Sequence, residues 1–592
     1  MGATYEPPID DIRFALDHLV DARSVTELER FAHADLDTME GLLKEFGRFC
    51  AEVIAPLNRI GDVHGTTFDS LSGTVTTAPG WREAYAKYVA AGWGSVPFAL
   101  EHGGGGFPWL LATAMQEILA ASNMAFSLCP MLTQGAVHLL EQHGSDEHQA
   151  VYLPRMVSGE WTGTMNLTEP QAGSDVGAIT TRAEPAGDGT WRLTGQKIFI
   201  TYGDHDLTDN IIHLVLARVP GAPAGTKGIS CFVVPKRLVS PEGELGESNG
   251  VRCIGIEHKM GIHASPTCTL EFDDAVGTLI GEANAGMQAM FTMMNRARLS
   301  VGLEGLGIAG RAYQDAVRYA KERTQGRAQG ATGGLSAPII VHQDVRRMLV
   351  HTRAHLVAMR GLAYANAVAI DHAADGPDAG SRCRAQERAD LLTPITKAWC
   401  TDLGSELTRL ATQVHGGMGY ITETGVEQHE RDVRIAAIYE GTNGIQGLDL
   451  VLRKLSIRDG RALHDLMDEV AGTADQLGDA DLPDLSVALH AGVKEVRHTT
   501  DWLLAQPTRD RGAGATPYLR LLATVIGGSV LARQALVTRA AVPIDAKSAA
   551  RLATARYYLT QVLPIATAMT GAVTAGADDL DIALQDISRQ MA

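Results

Sequence analysis

W-R-L-T-G-Q-K-I-F-I-T at residues 191–201 is the stretch whose reading sets the fold. Its β-branched and aromatic residues lie between Gly and Asp turn residues, which predicts a strand. The same signal recurs in N-I-I-H-L-V-L-A-R at 210–218, G-I-S-C-F-V-V-P at 228–235 and T-C-T-L-E-F at 267–272. Gly, Asp and Pro turns separate these runs, so a central antiparallel sheet or barrel is expected over 159–283.

On both sides the pattern turns helical. Upstream, Met39, Leu42, Leu43, Phe46, Phe49 and Val53 recur at helical spacing until Pro56. Downstream, 287–323 is one long helical pattern, followed by a Gly-rich loop at 326–336 and three more helical runs. The class is α+β in five segments. These are an N-terminal extension (1–36), a helical domain (37–158), the sheet domain (159–283), a second helical domain (284–456) and a further helical extension (457–592).

The totals agree with several cores in one soluble chain. The length is 592 residues, with 45% hydrophobic and 20% charged residues. The formal net charge of −18 works against polyanion binding through the global field. Seven cysteines are scattered without a C-x-x-C pair, so neither a disulfide framework nor a zinc ribbon is expected, and a reducing, cytoplasmic setting fits. No secretory signal is visible at the N-terminus. The longest apolar stretch, 521–532, falls short of the roughly 20 residues that span a bilayer and reads as a buried helix.

One short stretch carries chemistry. I-Y-E-G-T-N-G-I-Q at 438–446 places Glu440 after Ile438 and Tyr439 and before Gly441 and Thr442. An apolar approach raises a carboxylate's pKa and a glycine lets a ligand come close, which suits a general base. By itself the stretch reads as a solvated turn, the usual place of a loop glutamate before a glycine, and only the rest of the chain changes that.

Three motifs point elsewhere than their first reading. Gly103–Gly106 follows no predicted strand and reads as a tight loop, not a phosphate cradle. Gly305, Gly307 and Gly310 match a dinucleotide fingerprint but sit inside a helical pattern, where close helix packing explains them. His351 and His355 share a helix face, but Thr352 stands where a zinc-protease Glu belongs, so a solvated face is expected and no metal site.

Four segments resemble the acyl-CoA dehydrogenase family: M-N-L-T-E-P-Q-A-G-S-D-V at 165–176, G-Q-K-I-F-I-T at 195–201, Q-V-H-G-G-M-G-Y at 413–420 and R-D-V-R-I-A-A-I-Y-E-G-T at 431–442. The resemblance covers about 40–455. It implies an N-terminal α-helical domain, a middle antiparallel β-barrel and a C-terminal four-helix bundle, with FAD between barrel and bundle. The total length, E-H-K-M-G at 257–261, G-E-W-T-G-T-M-N-L-T-E-P at 159–170, M-F-T-M-M-N-R-A-R-L at 290–299 and the extension past 459 look like its longer branch. That branch includes 3-methylthiopropanoyl-CoA dehydrogenases of dimethylsulfoniopropionate breakdown, which extends the family's fatty-acid chemistry to a thioether acyl chain.

The resemblance implies roles for individual residues. Glu440 removes the substrate α-proton while the β-hydride moves to flavin N5, giving a 2-enoyl-CoA. The backbone N–H of the base and a flavin ribityl hydroxyl stabilise the enolate oxygen, as in an oxyanion hole. Met165, Leu167 and Thr168 line the flavin, Phe199 takes the place of a commoner Trp stacked by it, and Thr201 reaches towards N5. Thr442 holds a phosphate of FAD. Arg323 reaches the FAD of a neighbouring subunit, with Gln413, Gly416 and Gly417 at its diphosphate, and Gln325 stands where relatives use Thr. Ser174, Asn295, Arg298 and Gly441 are expected at the acyl-CoA substrate; for Arg298, pairing on the helix surface is the competing reading. Gly444 lacks the side chain that relatives often place on FAD. Some branches carry the base on the long helix instead, but the matching residue is Ala297, which takes no proton.

An electron-transfer flavoprotein is the expected electron acceptor and a homodimer or homotetramer the expected assembly. Two rival readings stand beside this one. An acyl-CoA oxidase passes electrons to oxygen with the same motifs. A nucleic-acid-associated flavoprotein of alkylation response wants a strongly basic face, and residues 460–592 have no dense Lys/Arg run. The extension itself is open between a dimer contact and a membrane-associating module.

Overall fold

The protein is described by a computed structural model that covers residues 5–330, 335–541, 543 and 545–590. Residues 331–334 of the Gly-rich 326–336 stretch lie outside the described residues. The chain forms two compact units, one of 42–300 with the residues before Pro8, the other of Pro8–Gly41 with 301–592.

The first unit is built on a seven-stranded sheet. Its order is Trp161–Asn166, Asn210–Ala217, Ser230–Pro235, Thr267–Ile280, Trp191–Thr201 and Arg182–Pro185, with Val251–Ile256 also paired to Thr267–Ile280. Phe232, Val234, Leu193, Ile200, Leu270 and Phe272 form its core. The longest strand, Thr267–Ile280, pairs with Trp191–Thr201 and, at its end, with Ser230–Pro235 (Thr278↔Val233). Register breaks at Cys268/Leu270 and Phe272/Ala275 accompany that double duty.

Two features correct the sequence reading. The sheet is not wholly antiparallel: Trp161–Asn166 runs parallel to Asn210–Ala217, with Trp161 opposite Asn210. More than forty residues, including two other strands, connect them, and only such a crossover permits parallel pairing. The domain upstream is not wholly helical either. Strands Thr67–Asp69 and Thr74–Thr76 form a hairpin whose Val75 enters the sheet core. Strands of three residues leave too short a pattern to read.

The glycine loop at 103–106 is closed on itself. The Gly104, Gly105 and Gly106 N–H groups donate to Ala99, Ser95 and Phe98 carbonyls, and a Cβ on Gly104 would stand 2.1 Å from the Phe98 oxygen. Those donors are spent on the turn, not offered to a phosphate.

In the second unit, helices Gln343–Asp375 and Ala379–His415 pack along their length, with the end of Gly286–Glu322 and the short Asn443–Leu452 beside them. Gly305 packs against helix Ala379–His415 so closely that a Cβ would meet the Cys400 carbonyl at 2.2 Å. Gly305 of the apparent dinucleotide fingerprint is therefore a packing residue. His355 is 4% exposed, its ring 4.3 Å from that of His351 and edge-on to Tyr558. The solvated face expected for this pair is a buried aromatic cluster, formed because the C-terminal extension covers it. Helix Ala515–Ala540 has the length and apolarity to cross a membrane, and 83% of its apolar window is buried inside the chain.

Residues 8–41 also belong to this unit. Arg353 grips the Asp11 carboxylate with both guanidinium Nη groups, Lys547 donates to Asp10 at 2.8 Å, and Arg551 lies over the Phe14 ring. All seven cysteines are free, and only Cys383 is exposed.

Candidate functional site

The residues singled out in the sequence fall on three surfaces. The first is on the sheet unit. Glu169 and Lys197 form an ion pair of 2.8 Å with side chains 2% and 0% exposed. Lys197 also donates to the Leu167 carbonyl at 3.0 Å, and the Ile198 N–H donates to the Thr168 carbonyl at 2.9 Å. Thr180 and Thr181 N–H groups complete the shell of Glu169. Burial pushes the Glu169 carboxyl up, but Lys197 and these hydrogen bonds prevail and hold it at about 2. Loop 167–169 is thereby locked to strand Trp191–Thr201.

Two residues along that strand, Phe199 has φ +58° and is 58% exposed. A bulky residue in the left-handed region costs of order 1–3 kcal/mol and persists only when its surroundings impose it. Here the Lys197 anchor and the Thr267↔Thr201 register impose it from both sides. The outcome is an exposed aromatic face at the end of a rigid strand, with Leu167 buried and Met165, Thr168 and Thr201 half-buried. Such a face suits a planar aromatic ligand.

Ser174 is exposed on the loop that follows. Asn295 and Arg298 differ from each other: Asn295 is exposed, whereas Arg298 is 6% exposed and donates to Asn295 Oδ1 at 3.3 Å. Arg298 is thus not a surface residue, and Asn295 is the member of the pair that meets solvent.

The second surface surrounds Glu440, in the helical unit. The 3₁₀ turn Arg434–Ala437 ends, Ile438 stands half-exposed, and helix Asn443–Leu452 begins five residues later. Between them Glu440 and Gly441 are both left-handed, at φ +54° and +81°. This reversal turns the carboxylate out of the helical path, and every neighbour is tied down. Tyr439 OH donates to Glu304 Oε2 at 2.5 Å. Lys397 Nζ donates to the Gly441 carbonyl at 2.8 Å and to Asn443 Oδ1 at 2.9 Å. Gln446 Nε2 donates to the Glu440 and Gly441 carbonyls. Thr442 caps helix Asn443–Leu452, its hydroxyl oxygen accepting from the Ile445 N–H at 3.3 Å. Its hydroxyl hydrogen stays available beside a helix N-terminus, a setting that favours phosphate.

Glu304, Lys397, Asn443 and Gln446 were not singled out in the sequence. The signals were present as charged residues in apolar or glycine-rich helix text, V-G-L-E-G-L-G and P-I-T-K-A-W-C. A charge in such text is buried only if something pairs it, so each implied a partner.

The third surface is the far end of the helices. Arg323 and Gln325 are exposed just beyond helix Gly286–Glu322, and Gln413, Gly416 and Gly417 are exposed at the end of Ala379–His415. Tyr319 stacks on His415 at 4.4 Å, which brings the two ends together. A Cβ on Gly416 or Gly417 would meet nothing within 4 Å, so ligand backbone has room there. Helical rise places Tyr319 about 22 Å from Glu304 on the same helix. This group therefore does not share the surroundings of Glu440.

Taken singly, the aromatic face suits a flavin ring, the helix start a phosphate and the open glycine pair the close approach of a ligand. Among the described residues no group of three or more His, Cys, Asp or Glu side chains gathers as a metal site would require.

Comparison with known proteins agrees with the geometry. Four domain families match the chain in succession: acyl-CoA dehydrogenase, N-terminal domain (37–160); middle domain (164–275); C-terminal domain (284–455); and acetyl-CoA dehydrogenase C-terminal like (466–582). The chain is 42% identical to the 3-methylmercaptopropionyl-CoA dehydrogenase of Ruegeria pomeroyi over 98% of this chain and 99% of that one. Among solved structures, Caenorhabditis elegans ACDH-11 in complex with C11-CoA superposes with a TM-score of 0.75 at 19% identity, covering 95% of this chain and 92% of that chain. An acyl-CoA dehydrogenase of Bacillus anthracis complexed with FAD gives 0.72 at 19% identity over 93% and 91%. Likeness at that identity establishes the fold.

Proposed function

The chain belongs to the acyl-CoA dehydrogenase family of FAD-dependent oxidoreductases, and from that premise we propose that it oxidises a short acyl-CoA with Glu440 as the α-proton base. The substrate we favour is 3-methylthiopropanoyl-CoA, the substrate class named for the Ruegeria relative. The observation that carries the base assignment is the double left-handed turn at Glu440 and Gly441 with its four bracing residues.

A thioester α-proton is weakly acidic, so removing it requires a carboxylate held at one position and stabilisation of the enolate that forms. Bound FAD supplies the two-electron acceptor for the departing hydride. This chain's part is positional. The Glu169–Lys197 pair fixes the loop and strand that present Phe199, Thr168 and Thr201. Lys397, Gln446 and Tyr439 fix the backbone from which Glu440 projects. Glu440 takes the proton from the α-carbon, and a bound acyl chain that expels water raises its basicity as it does so. Thr442 and the helix it caps favour an FAD phosphate, and Asn295 and Ser174 contact the CoA. Arg323, Gln325, Gln413, Gly416 and Gly417 serve the FAD of a neighbouring subunit, so the working enzyme is at least a dimer. Electrons leave to an electron-transfer flavoprotein, and the setting is cytoplasmic.

The test is a panel of acyl-CoA thioesters with the purified flavoprotein. Short thioether acyl-CoA bleaches the flavin and supports turnover with an artificial acceptor, and long-chain acyl-CoA does neither. Preference for long chains sinks the substrate assignment. Peroxide formed at one per turnover, undiminished by an electron-transfer flavoprotein, makes the enzyme an oxidase.

A further inference from the structure

Glu304 has no solvent-exposed surface. It sits in V-G-L-E-G-L-G, where its glycine neighbours let helix Ala379–His415 approach: a Cβ on Gly302 or Gly305 would meet Thr396 or the Cys400 carbonyl within 3 Å. A carboxyl group at so close a helix contact loses its hydration entirely. Oε2 accepts from the Tyr439 hydroxyl at 2.5 Å, and Oε1 has no hydrogen-bond partner among the described residues. The titratable and charged groups facing it are Tyr439 and Glu440 from the turn and Lys397 from helix Ala379–His415.

We propose that Glu304 is a positioning residue for Glu440, fixing the base's backbone through the Tyr439 hydroxyl and setting the base's proton affinity as a second carboxyl beside it. The proposal rests on the reading of Glu440 as the base. Geometry supplies the first half. Tyr439 immediately precedes Glu440, and its ring is the lever by which a buried helix holds a left-handed residue in place. Electrostatics supplies the second. Two neighbouring carboxyls, one of them fully buried, do not ionise independently. Burial lifts Glu304 to about 8; the Tyr439 hydrogen bond and Lys397 oppose the rise, and Glu440 adds to it. Glu304 therefore keeps its proton at neutral pH and adds no second negative charge beside Glu440. Its neutral carboxyl also explains how an oxygen without a donor is tolerated in the core.

The experiment compares kcat and KM from pH 6 to 9.5 in the FAD-loaded wild type, Glu304→Gln, Tyr439→Phe and Glu440→Gln. The wild-type kcat/KM profile inflects near pH 8. Glu304→Gln, which can still accept from Tyr439, keeps kcat within about threefold but loses that inflection. Tyr439→Phe loses the lever and drops kcat about tenfold with KM within twofold, the scale expected for a slightly misplaced base. An alkaline inflection that persists in Glu304→Gln overturns the proposal, as does a wild-type kcat in Tyr439→Phe. The phenylalanine variant leaves Glu304 in place and carries the test should the glutamine variant be unstable. Failure of the underlying reading looks different: Glu440→Gln itself then turns over at the wild-type rate.

Discussion

Lys397 reaches the residue after the candidate base: its Nζ lies 2.8 Å from the Gly441 carbonyl oxygen, on a side chain with no exposed surface. The lysine is in the middle of helix Ala379–His415, and its hydrogen bonds lead out of that helix to the turn. A charged donor of this kind contributes roughly 1.5–3 kcal/mol. Lys397→Met is expected to lower unfolding stability by about 2 kcal/mol and kcat by about tenfold, since the turn loses its anchor. Denaturant unfolding and steady-state rates measure the two effects separately; a stability loss with unaltered kcat would reduce Lys397 to a helix-packing residue.

Glu440→Gln keeps the shape of the base and removes its ability to accept a proton. FAD content should stay at wild-type stoichiometry while kcat falls by at least ~10²-fold, the low end for loss of a general base. Flavin absorbance and acyl-CoA turnover on one preparation decide it.

The Glu169–Lys197 pair gives a stability that depends on acid. Glu169 titrates at about 2 in the fold, against 4.5 for a free glutamate. A depressed carboxylate stabilises the fold above its unfolded pKa and loses that contribution as pH falls through its folded one. The window is thus pH 4.5 down to 2, and the contribution is roughly 3 kcal/mol at 1.36 kcal/mol per unit. Denaturant midpoints between pH 6 and 3 should fall more steeply for the wild type than for Glu169→Gln, which starts lower because Lys197 is left buried without its counter-charge.

Phe199 combines backbone strain with an exposed ring, so its two roles separate on substitution. Phe199→Gly relieves the left-handed conformation and removes the aromatic face. The FAD-free protein should gain up to about 1 kcal/mol in unfolding stability. FAD affinity should fall about fivefold, since an aromatic contact is worth roughly 1 kcal/mol. Fluorescence titration with FAD reads the second change; equal affinity removes Phe199 from the flavin site.

The helix–sheet–helix order was legible because it is written in local periodicity. The strand read at 191–201 is Trp191–Thr201, and those read at 210–218 and 228–235 are Asn210–Ala217 and Ser230–Pro235. What stayed hidden depends on contacts between distant parts of the chain. The parallel partner of Trp161–Asn166 follows from a long crossover, and the burial of His355 follows from helices some 200 residues downstream. Glu440 could be singled out because a glycine follows it in a motif that resembles a known family. Glu304 carried a weaker signal, one acid in glycine-rich helix text, and only the Tyr439 contact shows what pairs it.

The early residues that pack into the second unit have a consequence for how the protein is made. Asp10 meets Lys547, 537 positions away. Ribosomes add about 5–20 residues per second, so residues 8–41 emerge roughly half a minute to two minutes before their partner does. Throughout that interval Ile12, Leu16 and Leu19, all buried in the finished molecule, lack part of their cover, because Ala15–Leu19 packs on both Gln343–Asp375 and Ala515–Ala540. Residues 8–41 are thus among the last parts of this unit to settle, and their apolar side chains are what a chaperone would meet on the nascent polypeptide.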